Sequence, residues 1–364
     1  MLQLEMLPAE HGDALLLEYG DARERHRILV DAGPASSYES VRWRLLALPP
    51  GHRRFELLVI THVDADHIEG VIKLLQDEDL GCEFADVWFN DYRHARDPEK
   101  APDPRHLGAV HGEILAALLQ RPGVRWNAAF DGARVAVADD GPLPECTLAG
   151  GLRLTVLGPG RTELASLATH WNKVVGEAGF APGDVTSALA QLERRKWLGP
   201  PRAALGEIRI EAPKPDNSVA NGSSICVLAE FDGHRLLLAG DAFASTMEQG
   251  VRRWLAQHDG DTLALDAFKL PHHGSRANLS PELLDLLRCR RYLVSTSGAR
   301  FGHPDAAAMR LVLEHHQLRA AAVVQMNYAT EAATAWIAPA REDGLRFGVL
   351  APAGSTLGLY ARTE

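Results

Sequence analysis

Four times in this chain a short apolar run stops at side chains that are expensive to bury. "LLVITH" leads into "VDADH", "LLLAG" into "DA", "AFKLP" into "HHGS", and "LVSTSG" is followed shortly by "FGHP". Apolar runs of this length bounded by turn residues are strands. Loops that follow strands from distant parts of a chain can converge on one rim, and many α/β enzymes assemble their sites there. A fold for this sequence must therefore set several strand ends side by side, with ionisable groups between them.

The rest of the chain supplies strands and helices in two series. "LQLEMLPA", "ALLLEYG" and "HRILVDAGP" read as opening strands, "VRWRLLALPP" as a helix stopped by Pro49 and Pro50, and "HIEGVIKLLQ" as a helix following the strand "RFELLVITH". "CEFADVWFNDY" looks extended, while "HLGAVHGEILAALLQ" and "RTELASLATHWNKVVGEAG" have helical spacing on either side of the strand "GLRLTVLGP". The last third returns to strands. "SSICVLAEFDGHRLLLAGDA" is a hairpin turning at Asp232-Gly233, "SPELLDLL" is a helix capped by Ser280 with Pro281 at its first position, and "AAVVQMN", "TAWIAP", "RFGVLAP" and "TLGLY" read as closing strands. Two packed sheets flanked by helices satisfy this pattern. One domain over residues 1–364 is expected, with a flexible Pro-, Ala- and charge-rich insertion around 180–219.

Composition narrows the function classes. With 46% hydrophobic and 24% charged residues the chain reads as a globular enzyme, and its formal net charge of −10 opposes an extended polyanion footprint unless a local basic patch overcomes it. The four cysteines, Cys82, Cys146, Cys226 and Cys289, include no CxxC, so neither a disulfide scaffold nor a thiolate zinc site is expected. No basic leader with an apolar core opens the sequence and no run approaches membrane-spanning length, so the expectation is a cytoplasmic protein that does not engage a membrane. GxSxG, P-loop and GxGxxG motifs are all lacking.

In "HVDADH", His62 and Asp64 are two apart and share a side of an extended segment, and Asp66 and His67 follow as the chain turns into a helix. Imidazole and carboxylate together suit zinc, manganese or iron, and so many crowded groups call for a cation. The bland alternative is an exposed acidic turn in which Asp66 caps the helix. Asp241 ends an almost wholly apolar strand, where an unpaired carboxylate is costly. His272 and His273 are adjacent, so an extended backbone would aim only one of them, either one, at the centre.

The order "HVDADH", "GD", "HHGS" resembles the metallo-β-lactamase fold superfamily, with Asp64 where its usual HxHxDH motif has a second His. It is more closely similar to the C-terminal hydrolase domain of ComEC-type competence proteins, which also reads HxDxDHxxG, has an Asn and a Ser before the GD (here Asn221 and Ser224) and a later GHP (here Gly302-His303-Pro304). The likeness runs, with gaps, from about residue 3 to residue 315. It implies an α/β fold, a four-layer αββα sandwich, with one or two divalent metal ions between the sheets: zinc foremost, manganese as the alternative that an oxygen-rich site favours. Carried over residue by residue, His62, Asp66, His67 and Asp241 are the best ligands. His272 follows, with His273 as its alternative, and Asp64 takes the place of a His. A further His ligand falls between the first motif and the GD in that group, and His94, His106, His111 and His170 offer no motif to choose between them.

The implied chemistry is hydrolysis by metal-activated water, with Asp241 bridging, Asp66 or Asp64 orienting the nucleophile and His303 as a candidate acid. Phosphodiesters lead as substrate, either a small molecule or nucleic acid. A small carbonyl ester, lactone or thioester is the alternative, and a metal-containing component that binds a protein partner with little catalysis is the reading from another class.

Overall fold

The computed structural model describes residues 1–21, 23–95, 108–177, 181–194, 216, 218–316, 321–351 and 356–359. Two large sheets dominate it. The first orders its strands Thr356–Leu359, Leu2–Met6, Leu15–Gly20, Arg25–Val30, Leu57–Val59 and Val87–Trp88. The second runs Phe347–Leu350, Ala322–Met326, Arg291–Val294, Ala267–Lys269, His234–Leu238, Cys226–Phe231, Arg153–Gly158 and Glu145–Thr147. In each sheet an antiparallel portion meets a parallel one. Leu29 pairs in parallel with Leu58, and Leu237 with Phe268, so these strands deliver their carboxyl ends to the same edge.

Alternation along the strands sets the layering. Leu15, Leu17 and Tyr19 point into a hydrophobic cluster that also contains Leu154, Val156 and Val227 of the second sheet. Leu16, Leu29 and Leu58 point the other way and join Val41, Ile68 and Ile114 of three helices, Tyr38–Leu46, Ala65–Leu74 and Gly108–Leu119. Both faces of the first sheet are thus covered, which is why "LLLEY" is buried at every position rather than at alternate ones. Helices Ala244–Gln257 and Ala306–His316 send Met247, Val251 and Met309 into the cluster shared with the second sheet. The molecule is a mixed α/β fold with helix-flanked sheets.

Three local expectations need correction or completion. "TAWIAP" is helical rather than a strand: Thr330 accepts from Ala333 N at the start of helix Glu331–Thr334, and a second helix spans Ile337–Glu342. Ala333, Trp336 and Ala340 are the buried residues there, a three- and four-residue spacing that belongs to a helix. The strand expected at "TLGLY" is Thr356–Leu359, and it lies in the first sheet, where Leu357 pairs with Leu4. Within the segment expected to be a flexible insertion, Val185–Arg194 is a helix with Ala188 fully buried, and residues 195–215 lie outside the described residues. No helix among the described residues is long and apolar enough to cross a membrane.

Candidate metal centre

The buried strand Leu57–Val59 runs through Ile60 and Thr61 to His62, and the helix Ala65–Leu74 begins at once. Asp64 occupies the N-cap position without a side-chain capping bond, and Asp66 lies inside the first turn, so the capping role considered for Asp66 does not hold. Both carboxylates instead face a groove shared with the second sheet. Asp64 Oδ2 is 3.8 Å from His62 Nε2, and Asp66 Oδ2 is 3.6 Å from His273 Nε2.

Asp241 is at the centre. Its Oδ2 stands 3.8 Å from His62 Nε2, 3.5 Å from His67 Nε2, 3.9 Å from His272 Nε2 and 3.8 Å from His273 Nε2. The turn that brings it there is tight. Gly240 has φ +52°, and a Cβ on it would lie 3.0 Å from that of Thr61, so the two strand ends meet only because the residue is glycine. Gly12 is under a harder limit: a Cβ would fall 1.8 Å from the Asp66 carbonyl oxygen, which lets the loop after the first strand lie on the start of the Asp66 helix.

His272 and His273 are not extended. Both adopt left-handed backbone conformations, φ +45° and +55°, in a short 3-10 turn at Pro271–Gly274. For residues with a Cβ this costs roughly 1–2 kcal/mol each, and such strain gathers at functional sites. The turn aims both rings at Asp241, where an extended backbone would have aimed one.

The far nitrogens of the rings are held from behind. Asp31, fully buried after the strand Arg25–Val30, lies 2.8 Å from His67 Nδ1 and accepts from Thr61 N at 2.8 Å and Thr61 Oγ1 at 2.7 Å; Thr61 Oγ1 is in turn 2.9 Å from His62 Nδ1. Ser295 O is 2.9 Å from His273 Nδ1, while Asn278 Oδ1 and Asp216 Oδ2 lie 3.1 and 3.3 Å from His272 Nδ1. These contacts fix each ring with Nε2 inward. Behind His273, Asp13 Oδ2 pairs with the wholly buried Lys269 ammonium at 2.7 Å.

Burial and crowding push the charges apart. Burial and then the neighbouring His67 lower His62 to about 4, keeping it neutral. Burial would lower His67 as well, but Asp241 and Asp31 outweigh it and hold the ring well above its ordinary value. The same contest holds Asp241 and Asp66 below the carboxylate range, burial opposing and the histidines prevailing. Asp64 goes the other way, to about 7, through burial in the groove and then the negative charges of Asp66 and Asp241, although a third of its side chain remains open.

The fit to a cation rests on orphaned atoms. Among the described residues, His62 Nε2, His67 Nε2, His273 Nε2 and Asp241 Oδ1 are buried without a hydrogen-bond partner. An unpaired buried polar atom costs about 1–3 kcal/mol. Four in one groove make sense when positive ions can sit among them. His62, His67 and Asp241, and likewise Asp66, His67 and His273, offer ligand atoms within 4.8 Å of one another. Neutral imidazole and carboxylate are the donors zinc and manganese take.

All the residues singled out in the sequence come to this one groove, with His303 at its edge: its ring lies 5.2 Å from that of His272, and Asp305 Oδ1 is 3.1 Å from its Nδ1. Of the histidines considered for a further ligand, His94 is held by Asp91 at 2.6 Å and Gly132 O, His111 lies 3.7 Å from Glu69, and His170 is on the helix Arg161–Glu177. His106 lies outside the described residues. Sequence reasoning assigned no role to Asp13, Asp31, Asp216 or Lys269. Two of these carried a usable signal: Asp31 ends an apolar strand as Asp241 does, and Lys269 interrupts "AFKLP".

No protein-family model and no curated protein matches the chain. The chain is matched by a solved structure from Parabacteroides distasonis ATCC 8503 named "Putative metal-dependent hydrolase", at 11% identity and a TM-score of 0.37 over 96% of this chain and 94% of that one. A likeness at that score assigns neither fold nor activity.

Proposed function

We propose that the chain is a metal-dependent hydrolase of the metallo-β-lactamase fold, a single αββα domain that cleaves phosphodiesters in the cytoplasm. The observation that carries this reading is the set of orphaned donors, His62 Nε2, His67 Nε2, His273 Nε2 and Asp241 Oδ1, gathered in a groove between two sheets. His62, His67 and Asp241 would hold one cation and Asp66, His67 and His273 a second, with His272 and Asp64 beside them. One or two divalent cations, zinc first and manganese second, would supply a Lewis acid that makes hydroxide accessible near neutral pH.

The chain's own groups do the rest. Asp66 and Asp64 line the groove on the side of the first sheet and orient the attacking water. Asp31 and Thr61 keep His67 and His62 turned inward through their Nδ1 atoms. His303, with Nδ1 held by Asp305, has Nε2 left to donate a proton to the leaving oxygen. The oxygen-rich donor set favours phosphate over a carbonyl substrate.

A panel of bis(p-nitrophenyl) phosphate, a lactone and a thioester, tested with zinc- and manganese-loaded protein, distinguishes the readings. Turnover of the diester supports the proposal. Turnover confined to the lactone or thioester replaces its substrate class, and a fully loaded protein that cleaves none while a protein co-purifies favours the partner-binding reading.

A further inference from the structure

The metal groove is rich in carboxylates, with Asp64, Asp66, Asp216 and Asp241 all about it, in a chain of net charge −10. An anionic ester approaching it is repelled unless a cation waits at the rim. Arg300 supplies one. Its guanidinium is exposed, and none of the ion pairs among the described residues involves it. Its Nη1 contacts His11 Nε2 at 2.9 Å, and His11 is buried beside Asp66, whose charge acts on it directly.

The next residue is a large apolar side chain exposed beside the centre. Phe301 keeps 53% of its surface open, and its ring meets His11 edge-on at 5.6 Å and His303 at 6.4 Å. The loop that carries both residues is pinned at its base. Ser297 N donates to Glu10 O at 2.5 Å, Thr330 Oγ1 donates to Ser297 O, and Gly298, φ +72°, packs where a Cβ would lie 2.5 Å from Ala333 N. A held base with an exposed cation and an exposed aromatic at its tip is a preorganised recognition surface. The Arg300 guanidinium lies over one face of the Phe301 ring at 5.1 Å, so cation and ring form one continuous surface beside the groove.

We infer that Arg300 and Phe301 form the recognition lip of the centre, the guanidinium taking phosphate oxygens and the phenyl ring stacking on an aromatic base, so that the substrate is a nucleotide-type phosphate ester. The inference rests on the hydrolase reading above and narrows its substrate. Arginine matches phosphate oxygens in two-point geometry, and stacking of a base on an aromatic side chain is sequence-tolerant, as an unspecialised phosphodiesterase requires.

Calorimetric titration of the manganese-loaded full chain with adenosine 5′-monophosphate and with inorganic phosphate tests it. Phe301→Ala weakens the nucleotide about tenfold and leaves phosphate unchanged. Arg300→Gln weakens both by about tenfold. Both variants keep the wild-type melting temperature, since both side chains are exposed. A wild type that binds the nucleotide no tighter than phosphate, a Phe301→Ala protein that loses both ligands equally, or variants that bind as wild type does would each overturn the inference. The two readings fail separately. Diester turnover with KM unmoved by either substitution removes the lip and leaves the hydrolase, whereas nucleotide binding that depends on both residues without any diester turnover keeps the lip and removes the hydrolase.

Discussion

Asp31→Asn is the perturbation that probes the scaffold behind the centre most sharply. The carboxylate is fully buried, and three hydrogens point at it: Thr61 N at 2.8 Å toward Oδ1, and Thr61 Oγ1 at 2.7 Å and His67 Nδ1 at 2.8 Å toward Oδ2. Its backbone is left-handed, φ +56°, which asparagine tolerates as well as aspartate does, so the substitution leaves the turn alone. An amide has one acceptor where the carboxylate has two. If its oxygen serves His67 and Thr61 Oγ1, its NH2 opposes the Thr61 amide; if it turns over, the NH2 faces His67 Nδ1 and drives the ring proton onto Nε2, the nitrogen aimed at Asp241. Either way the centre loses. Breaking the partner behind a metal-binding histidine typically costs 10–100-fold in affinity, or about 1.4–2.8 kcal/mol at tenfold per 1.4 kcal/mol. Losing hydrogen bonds to a buried charge destabilises the metal-free fold by roughly 1.5–3 kcal/mol each. Zinc titration against a competing chelator, with circular dichroism to confirm folding, reads the first effect, and urea unfolding reads the second. A folded Asp31→Asn protein that binds zinc within about twofold of wild type refutes this account of His67.

Two other carboxylates, one buried and one partly exposed, give independent expectations. Lys269→Met strands Asp13 without its cation and should cost about 3–5 kcal/mol in urea unfolding, much of it recovered in Lys269→Met/Asp13→Leu; equal stability of the single and double variants would contradict the pairing. Away from the centre, Asp77 accepts from Tyr38 OH at 2.8 Å and Arg42 Nε at 2.7 Å, and these bonds, against the opposing effect of burial, hold its carboxyl below the ordinary 3.8. A depressed acid stabilises the fold above its unfolded pKa and loses that contribution as pH falls through the folded value. Asp77→Asn should therefore melt below wild type at pH 7, with the gap closing below about pH 4. A gap that stays constant from pH 7 to pH 3 would show that the charge is not what stabilises.

What could be read from the sequence was governed by how local each signal is. The strand-end clusters were legible because apolar strands and ionisable groups adjoin in the chain, as "LLVITHVDADH" shows. The hairpin turn was legible because Asp232 and Gly233 both take positive φ, +50° and +76°, which that residue pair accommodates. Ser280 was legible as a cap, and it accepts from Leu283 N. Asp13 and Asp216 were not, because each acts on a histidine far away in sequence, His273 and His272. The pairing of Leu357 with Leu4 joins the two ends of the chain, and no local pattern records it. "TAWIAP" misled because a run of Ala, Trp and Ile fits either element, and only the Thr330 cap and the spacing of Ala333, Trp336 and Ala340 decide for a helix. The rings of His272 and His273 both turn inward because of a left-handed turn that Pro271 and Gly274 bracket, a conformation adjacent histidines do not advertise.

Zinc binding by wild type and by His67→Ala, followed by calorimetry and elemental analysis, bears most directly on the centre. His67 belongs to both groups of close ligand atoms and its Nε2 comes closest to Asp241, at 3.5 Å. Wild type should take up zinc at one or two ions per chain, and His67→Ala should lose about a hundredfold or more in affinity together with its turnover of diesters. A folded His67→Ala protein that keeps both its zinc and its activity would contradict the account.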